Sequence, residues 1–195
     1  MIDETADPFD LFEKWFKAAE ETESVDPNAM TVATVDADGT PNARILLLKG
    51  RSRAGFVFYT NLGSVKGQEL QQTSRAALLF HWKTQKRQVR MRGAITQVTD
   101  AVADAYFATR PRESQLGAWA SKQSQPLDSR DTFEARLSEM AARFEGQEVP
   151  RPPHWSGFQL TPEQFEFWQD REFRLHDRVR YTHDDGGWNG QRLYP

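Results

Sequence analysis

Between Asp7 and Glu21 the apolar residues Phe9, Phe12, Phe16 and Ala19 recur three and four apart, and Leu11 and Trp15 widen their stripe. That period buries one face of a helix. Asp7 can cap it and Pro8 suits its first turn, so a helix is predicted over 7–22. From Met30 the period changes to that of strands. Met30–Asp36 is β-branched and ends in the turn signal Asp36-Ala-Asp-Gly39, and Asn42–Lys49 reads as its hairpin partner. Gly55–Thr60 is a third strand, and Asn61–Ser64 leads into a short helix, Val65–Gln72. Ala76–Trp82 and Gln88–Val98 form another strand pair around Lys83–Lys86.

A helix is predicted over Asp100–Thr109, starting at a Thr99-Asp100 cap, and a longer one over Asp131–Phe144 with Phe133, Leu137, Met140 and Phe144 along it. The polar stretch Pro111–Leu127 between them reads as partly irregular, and Val149–Pro153 as extended. Strands are expected at Gly157–Leu160, Gln164–Gln169, Phe173–Tyr181 and Trp188–Leu193, the last after an Asp184–Gly187 turn. Strands that meander, with no repeating βαβ unit, predict one mainly β (α+β) domain over 1–195: an antiparallel barrel with flanking helices.

Composition narrows the function classes. A chain of 195 residues suits one domain. Twenty-five Lys and Arg against 28 Asp and Glu give a formal charge of −3, without the basic bias of a nucleic-acid binder. No cysteine is present, which excludes disulfides, thiolate metal sites and a cysteine nucleophile. The acidic start has no signal-peptide pattern, and no run approaches the roughly 18 apolar residues that span a bilayer. The expectation is a cytoplasmic protein with no membrane partner. His81, His154, His176 and His183 lack ligand-pair spacing, so no metal is expected. Six Trp among the aromatics suit either a packed core or a pocket for a planar ligand.

Phosphate chemistry has candidates but no P-loop or Gly-x-Gly-x-x-Gly motif. Arg44 and Lys49 bracket an apolar strand, and Lys66 lies just inside a helix that starts near Ser64. A helix N-terminus with nearby cations suits phosphate; solvated strand-end charges are the alternative. Tyr106, Arg110 and Ser114 recur four apart on a helix and its continuation, offering a phenol, a guanidinium and a hydroxyl to a phosphate, or forming a polar helix face. Arg174, His176 and Arg178 alternate on a predicted strand facing a Trp168 strand, which places three basic groups on one side of the sheet. Either an electron-rich ligand lies among them or that face is solvated.

Together these segments resemble the pyridoxine (pyridoxamine) 5′-phosphate oxidase family. The resemblance rests on Arg44-Ile-Leu-Leu-Leu-Lys49, Phe58-Tyr-Thr-Asn-Leu-Gly-Ser64, Arg87-Gln88-Val89, Arg110-Pro-Arg-Glu-Ser114-Gln-Leu-Gly-Ala-Trp119, Ser121-Lys-Gln-Ser124, Glu166-Phe-Trp168-Gln169, Arg174-Leu-His-Asp-Arg178 and Arg192-Leu-Tyr-Pro195, in order over nearly the whole chain. It implies a Greek-key split β-barrel homodimer, with residues 156–195 completing an FMN site at the subunit interface. By the same resemblance, Arg44 and Lys66 hold the FMN phosphate, and the strand through Ile45, Leu46, Leu47 and Lys49 runs beside the flavin. Tyr59, Thr60, Gln88, Gln123, Ser124, Trp168 and Arg178 contact the flavin or its ribityl chain. Lys49, Tyr106, Arg110 and Ser114 grip the phosphate of a vitamin B6 substrate, and Arg174, Leu175 and His176 lie at its ring, with Arg174 and His176 catalytic. The implied reaction oxidises pyridoxamine and pyridoxine 5′-phosphates to pyridoxal 5′-phosphate, with O2 reduced to H2O2.

Two departures from the family pattern stand out. Family members often carry Arg before the lysine that Lys66 matches; here it is Val65, which removes a contact of about 1.5–3 kcal/mol. Many also carry a basic, Tyr-containing segment ahead of the first helix that helps cover the site; here that cover is absent, supplied otherwise, or outside the sequence. The rivals are a split-barrel flavin oxidase of the phenazine-biosynthesis type and a non-catalytic flavin or B6-phosphate binding protein. Relatives of the first type tend to lose Lys49 and the Tyr106, Arg110, Ser114 set, and Arg174 with His176 speaks against the second.

Overall fold

The computed structural model describes residues 1–195. Helix α1 (Pro8–Thr22) begins where Asp7 accepts hydrogen bonds from the Phe9 and Asp10 backbone N–H groups. Its stripe of Phe12, Trp15, Phe16 and Ala19 is buried. Strands β1 (Ala29–Val35) and β2 (Pro41–Leu47) form the expected hairpin. The short strand β3 (Gly50–Ser52), which the sequence pattern did not signal, pairs with β4 (Gly55–Asn61). Helix α2 (Val65–Thr73) follows, then β5 (Arg75–Trp82) and β6 (Arg87–Gln97). Helices α3 (Asp100–Ala108), α4 (Arg112–Ala120) and α5 (Arg130–Arg143) precede β7 (Trp155–Gln169), β8 (Asp177–Asp184) and β9 (Gly187–Leu193).

All pairings are antiparallel, and the sheet runs β2-β1-β5-β6-β7-β4-β3. Beside β7, β4 occupies the Trp155–Leu160 half of one edge and β8 the Gln164–Gln169 half. The sheet curls without closing, as a split barrel. The β6–β7 register shifts between Arg92 and Gly93, a bulge of the kind that bends and twists a sheet. A Cβ on Gly93 would lie 2.0 Å from the Thr161 carbonyl oxygen, so only glycine permits this approach.

The core fills the concave face. Leu78, Phe80 and Trp82 of β5, Val89 and Met91 of β6, and Phe165 and Phe167 of β7 alternate inward and are buried. Helix α1 lies against them, with Phe12 edge-on to Phe56 at 4.9 Å and to Phe80 at 5.3 Å. A second cluster of Phe107, Leu116, Phe144, Val149 and Trp155 fastens α3, α4 and the end of α5 to the first residue of β7. No helix is long and apolar enough to cross a membrane.

Two expectations need correcting, and a third gains detail. Within the partly irregular stretch 111–127, α4 occupies Arg112–Ala120. Its polar composition hid it: only Gln115, Leu116 and Ala120 are buried, a stripe too narrow for a periodic signal. The strands expected at 157–160 and 164–169 are one continuous strand. Pro162 is accommodated because it sits at the bulge, between the halves of the edge that pair with β4 and β8. Finally, β8 starts at Asp177, not Phe173. Residues Glu172–Arg174 form a 3-10 turn, with Phe173 at φ 57° and Arg174 at φ 62°. Arg174, His176 and Arg178 therefore do not alternate along one strand.

Candidate functional site

A cleft of about 780 Å³ opens where β2 and β4 meet the ends of α3 and α4. Ile45, Leu46 and Leu47 of β2 line one wall, with Lys49 just beyond them; Tyr59 and Thr60 come from β4. Tyr106 and Arg110 reach it from the end of α3, Ser114 from the start of α4, and Gln123 from the loop after α4. Tyr106, Arg110 and Ser114 thus converge as their spacing suggested, although two helices broken at Thr109–Pro111 carry them rather than one.

The cleft is built around stacked rings. Tyr59 lies 4.0 Å from Tyr106 and 5.2 Å from Trp155, nearly parallel to both. Burial, then the neighbouring Tyr106 oxygen, raises the pKa of the Tyr59 phenol. The Arg110 guanidinium sits over Trp155 at 4.8 Å and Phe107 at 5.4 Å. Its Nη1 is buried with no hydrogen-bond partner. Burial lowers the pKa of this group, which nevertheless keeps its charge. An unpaired donor on a desolvated cation is costly, and a phosphate oxygen is the partner whose charge and geometry would relieve it.

A second cationic group lies where α2 begins. Ser64 caps the helix by accepting from the Gly67 N–H. Lys66 Nζ donates to Gln123 Oε1 at 3.0 Å, and Thr60 Oγ1 approaches the same oxygen at 3.4 Å. Burial, reinforced by the Arg44 charge and opposed by Glu69, lowers the pKa of Lys66. Arg44 is fixed from behind: Nη1 donates to the Val32 carbonyl at 3.2 Å and to Thr34 Oγ1 at 2.5 Å, and Nη2 to Glu69 Oε2 at 3.1 Å. Burial alone would raise the Glu69 pKa; hydrogen bonds from Thr34, Asn42 and Arg44 outweigh it and lower the pKa. These bonds leave Arg44 Nε and one Nη2 hydrogen for a ligand. Val65, 45% exposed at the helix start, contributes no charge there.

The remaining candidates gather elsewhere. Gln88, Trp168 and Arg178 sit side by side across β6, β7 and β8. Arg178 donates through Nη2 to Glu166 Oε1 at 2.7 Å and through Nη1 to the Tyr194 carbonyl at 3.1 Å. Glu166 also receives Arg90 Nη2 at 2.5 Å. The His176 ring rests on Trp168 at 4.5 Å. Arg174 and Leu175 are exposed in the turn before β8. None of these residues lines the cleft, and Ser124 borders a neighbouring hollow rather than the cleft itself. Trp155 and Trp168 mark opposite ends of β7, about 40 Å apart along the strand at roughly 3.3 Å per residue. One chain therefore does not assemble all the candidates around one ligand.

Several site residues had no sequence signal. Trp155 stacks on Tyr59 and supports Arg110, yet nothing around it in sequence marks it. Glu69 and Glu166 hold Arg44 and Arg178. Glu166 had a partial signal, since it lies two positions from Trp168 on the same face of a strand.

Residues 16–144 match the family model described as pyridoxamine 5′-phosphate oxidase, and 155–195 match that of the pyridoxine 5′-phosphate oxidase C-terminal dimerisation region. The chain is 58% identical over 189 residues to a pyridoxine/pyridoxamine 5′-phosphate oxidase of Caulobacter vibrioides, covering 97% of this chain and 85% of that protein. It is 54% identical to one of Zymomonas mobilis, covering 98% of this chain and 100% of that protein. Among solved structures, PhzG from Burkholderia lata 383, in complex with tetrahydrophenazine-1-carboxylic acid, superposes with a TM-score of 0.92 at 30% identity over 99% of this chain and 95% of that one. An FMN-binding protein from Nostoc punctiforme, 18% identical with a TM-score of 0.77 over 98% of this chain and 100% of that one, shares the fold.

Proposed function

The chain belongs to the pyridoxamine 5′-phosphate oxidase family, and from that premise we propose that it oxidises pyridoxamine and pyridoxine 5′-phosphates to pyridoxal 5′-phosphate, using FMN and O2 and releasing H2O2. The observation that carries this reading is the orphaned Arg110 Nη1 beside Lys49, Tyr106 and Ser114. It supports an anion pocket additional to the cations at Arg44 and Lys66, as two phosphorylated ligands would require.

The residues fit FMN. Arg44 and Lys66 at the α2 N-terminus suit its phosphate. Tyr59, Thr60, Gln123 and the adjacent Ser124 offer polar contacts along a wall of Ile45, Leu46 and Leu47, of which Ile45 is 63% exposed. Gln88, Trp168 and Arg178 reach the same ligand if a second copy brings the far end of its β7–β8 pair to this cleft. A homodimer does this, and the match of 155–195 to a dimerisation region supports it.

Bound FMN would supply the hydride acceptor for oxidation at the substrate's C4′, with O2 as the final oxidant. The chain supplies the rest. Lys49, Tyr106, Arg110 and Ser114 fix the substrate phosphate and so set the ring's position. Arg174 and Leu175 cover the ring, and His176 takes the proton released at the C4′ substituent. Arg178, which Glu166 holds in place, would supply positive charge to a bound flavin.

The test is anaerobic addition of pyridoxamine 5′-phosphate to the FMN-loaded protein. Bleaching of the visible flavin band, its return with air and formation of pyridoxal 5′-phosphate are expected. A flavin band that never bleaches would sink this reading and favour oxidation of a different substrate.

A further inference from the structure

Asp177 opens β8, between His176 and Arg178 in sequence. It is buried on the same face of the strand as Val179 and Tyr181, and Arg178 lies on the other face. A buried carboxylate needs partners, and Asp177 has two. Its Oδ1 accepts from Arg192 Nη1 of β9, and its Oδ2 from the Ile2 backbone N–H. Arg192 Nη2 in turn donates to the Ile2 carbonyl at 2.9 Å. Asp177, Arg192 and the Ile2 backbone therefore close a ring of hydrogen bonds.

Residues Ile2, Asp3 and Glu4 form a strap across β8 and β9. The Ile2 side chain is buried in the main core. The Tyr181 hydroxyl donates to the Asp3 carbonyl, and burial, then Asp3 and Glu4, push its pKa up to about 12, so it stays a donor. A Cβ on Gly190 would lie 1.9 Å from the Glu4 carbonyl oxygen, so β9 admits the strap only at a glycine. Arg192 Nε lies 4.0 Å from Glu4 Oε2, a second and looser tie.

This ring reaches Arg178 through Tyr194. The β8–β9 ladder ends at the pair Arg178–Leu193, and the Tyr194 carbonyl just beyond it accepts from Arg178 Nη1 at 3.1 Å. Tyr194 is 93% exposed, so its own packing does not fix that carbonyl. Arg192, two residues earlier and tied to Asp177, is the side chain that anchors this end of β9.

We propose that Asp177 is a positioning residue: by anchoring Arg192 and the strap, it holds the start of β8 and the Tyr194 carbonyl in the arrangement that aims Arg178. The use of that aim rests on the proposed flavin oxidase reading; the anchoring does not depend on it.

The experiment compares Asp177→Asn, Arg192→Met and Arg192→Lys with the parent. Amide hydrogen exchange of the free protein is followed at 175–179, with β5 and β6 as the reference. Exchange at 175–179 should quicken at least about tenfold more than in β5 and β6 for Asp177→Asn and Arg192→Met. Arg192→Lys keeps a cation for Asp177 and should recover part of the loss. With FMN bound, the first two variants should weaken FMN at least about fivefold in fluorescence titration. They should also shift the flavin's midpoint potential downward, because positive charge beside a flavin favours its reduced form. A merely structural Asp177 would lower stability and leave the potential of the bound FMN where it was. Exchange at 175–179 that rises no more than in β5 and β6, or an unchanged potential, overturns the proposal. A parent that binds FMN but does not oxidise pyridoxamine 5′-phosphate sinks the oxidase reading, and the exchange and the potential still decide the role of Asp177.

Discussion

Replacing Arg110 with methionine is expected to separate stability from substrate binding, because the free protein holds this side chain at a cost. Its Nη1 is buried without a partner, and a desolvated unsatisfied donor costs about 1–3 kcal/mol. What the guanidinium gains in return is its position over Trp155 and Phe107, about 0.5–2 kcal/mol. Methionine fills similar space against the same rings without a charge. The two terms nearly cancel, so thermal unfolding of the free variant should stay within about 1 kcal/mol of the parent, or improve. Substrate binding should not cancel. A charge-assisted fork to phosphate contributes about 3 kcal/mol, and 1.4 kcal/mol is tenfold, so KM for pyridoxamine 5′-phosphate should rise roughly a hundredfold. Oxidation of unphosphorylated pyridoxamine should change much less. A variant destabilised by more than about 2 kcal/mol with an unchanged KM would refute the reasoning, since Arg110 would then be a structural cation.

Three further perturbations test other parts of the structure. Phe12→Ala removes a fully buried ring from the seam between α1 and the sheet and should destabilise by about 3–5 kcal/mol in denaturant unfolding; a loss under 1 kcal/mol would mean α1 is not part of the core. Val65→Arg returns a cation to the start of α2 and should tighten FMN at least about tenfold by fluorescence titration, with an unchanged dissociation constant counting against a phosphate at that helix end. Lys66 in its proposed role would hold the FMN phosphate in its protonated form, and burial with the Arg44 charge lowers its pKa from the ordinary lysine value. FMN affinity should therefore weaken as pH rises through that lowered value, and Lys66→Met should bind more weakly and lose this alkaline limb; a limb that persists in Lys66→Met assigns it to another group.

Element types were legible wherever burial imposed a period. Phe12, Trp15, Phe16 and Ala19 gave α1 its face, and the alternation through Val89 and Met91 gave β6 its own. The turn at Asp184–Gly187 was legible from its glycines. Helix α4 was not, because most of its polar residues face the cleft or solvent and only a few are buried. The continuity of β7 across Pro162 was not, because the gap between β4 and β8 that tolerates a proline exists only in the assembled sheet. The start of β8 was misplaced for a physical reason: Phe173 and Arg174 occupy the left-handed region, which no local feature of Glu-Phe-Arg-Leu announces.

The candidate cations were legible as charges but not as partners, and the partners divide them. Arg44 is held by Glu69, Arg178 by Glu166 and Lys66 by Gln123. Each of these partners lies on a different element from its cation, twelve or more residues away, at a separation that no spacing rule reaches. Such pairing fixes a side chain before a ligand arrives, so that little ordering is left for the moment of binding. Arg110 differs from these, with its ring contacts in place and its buried Nη1 left open. A preorganised set for the group that stays and an open donor for the group that comes and goes is the division that a resident FMN and an exchanging substrate require. It follows that Arg44 and Arg178 should tolerate loss of their carboxylate partners poorly, whereas Arg110 has no partner in the free protein to lose.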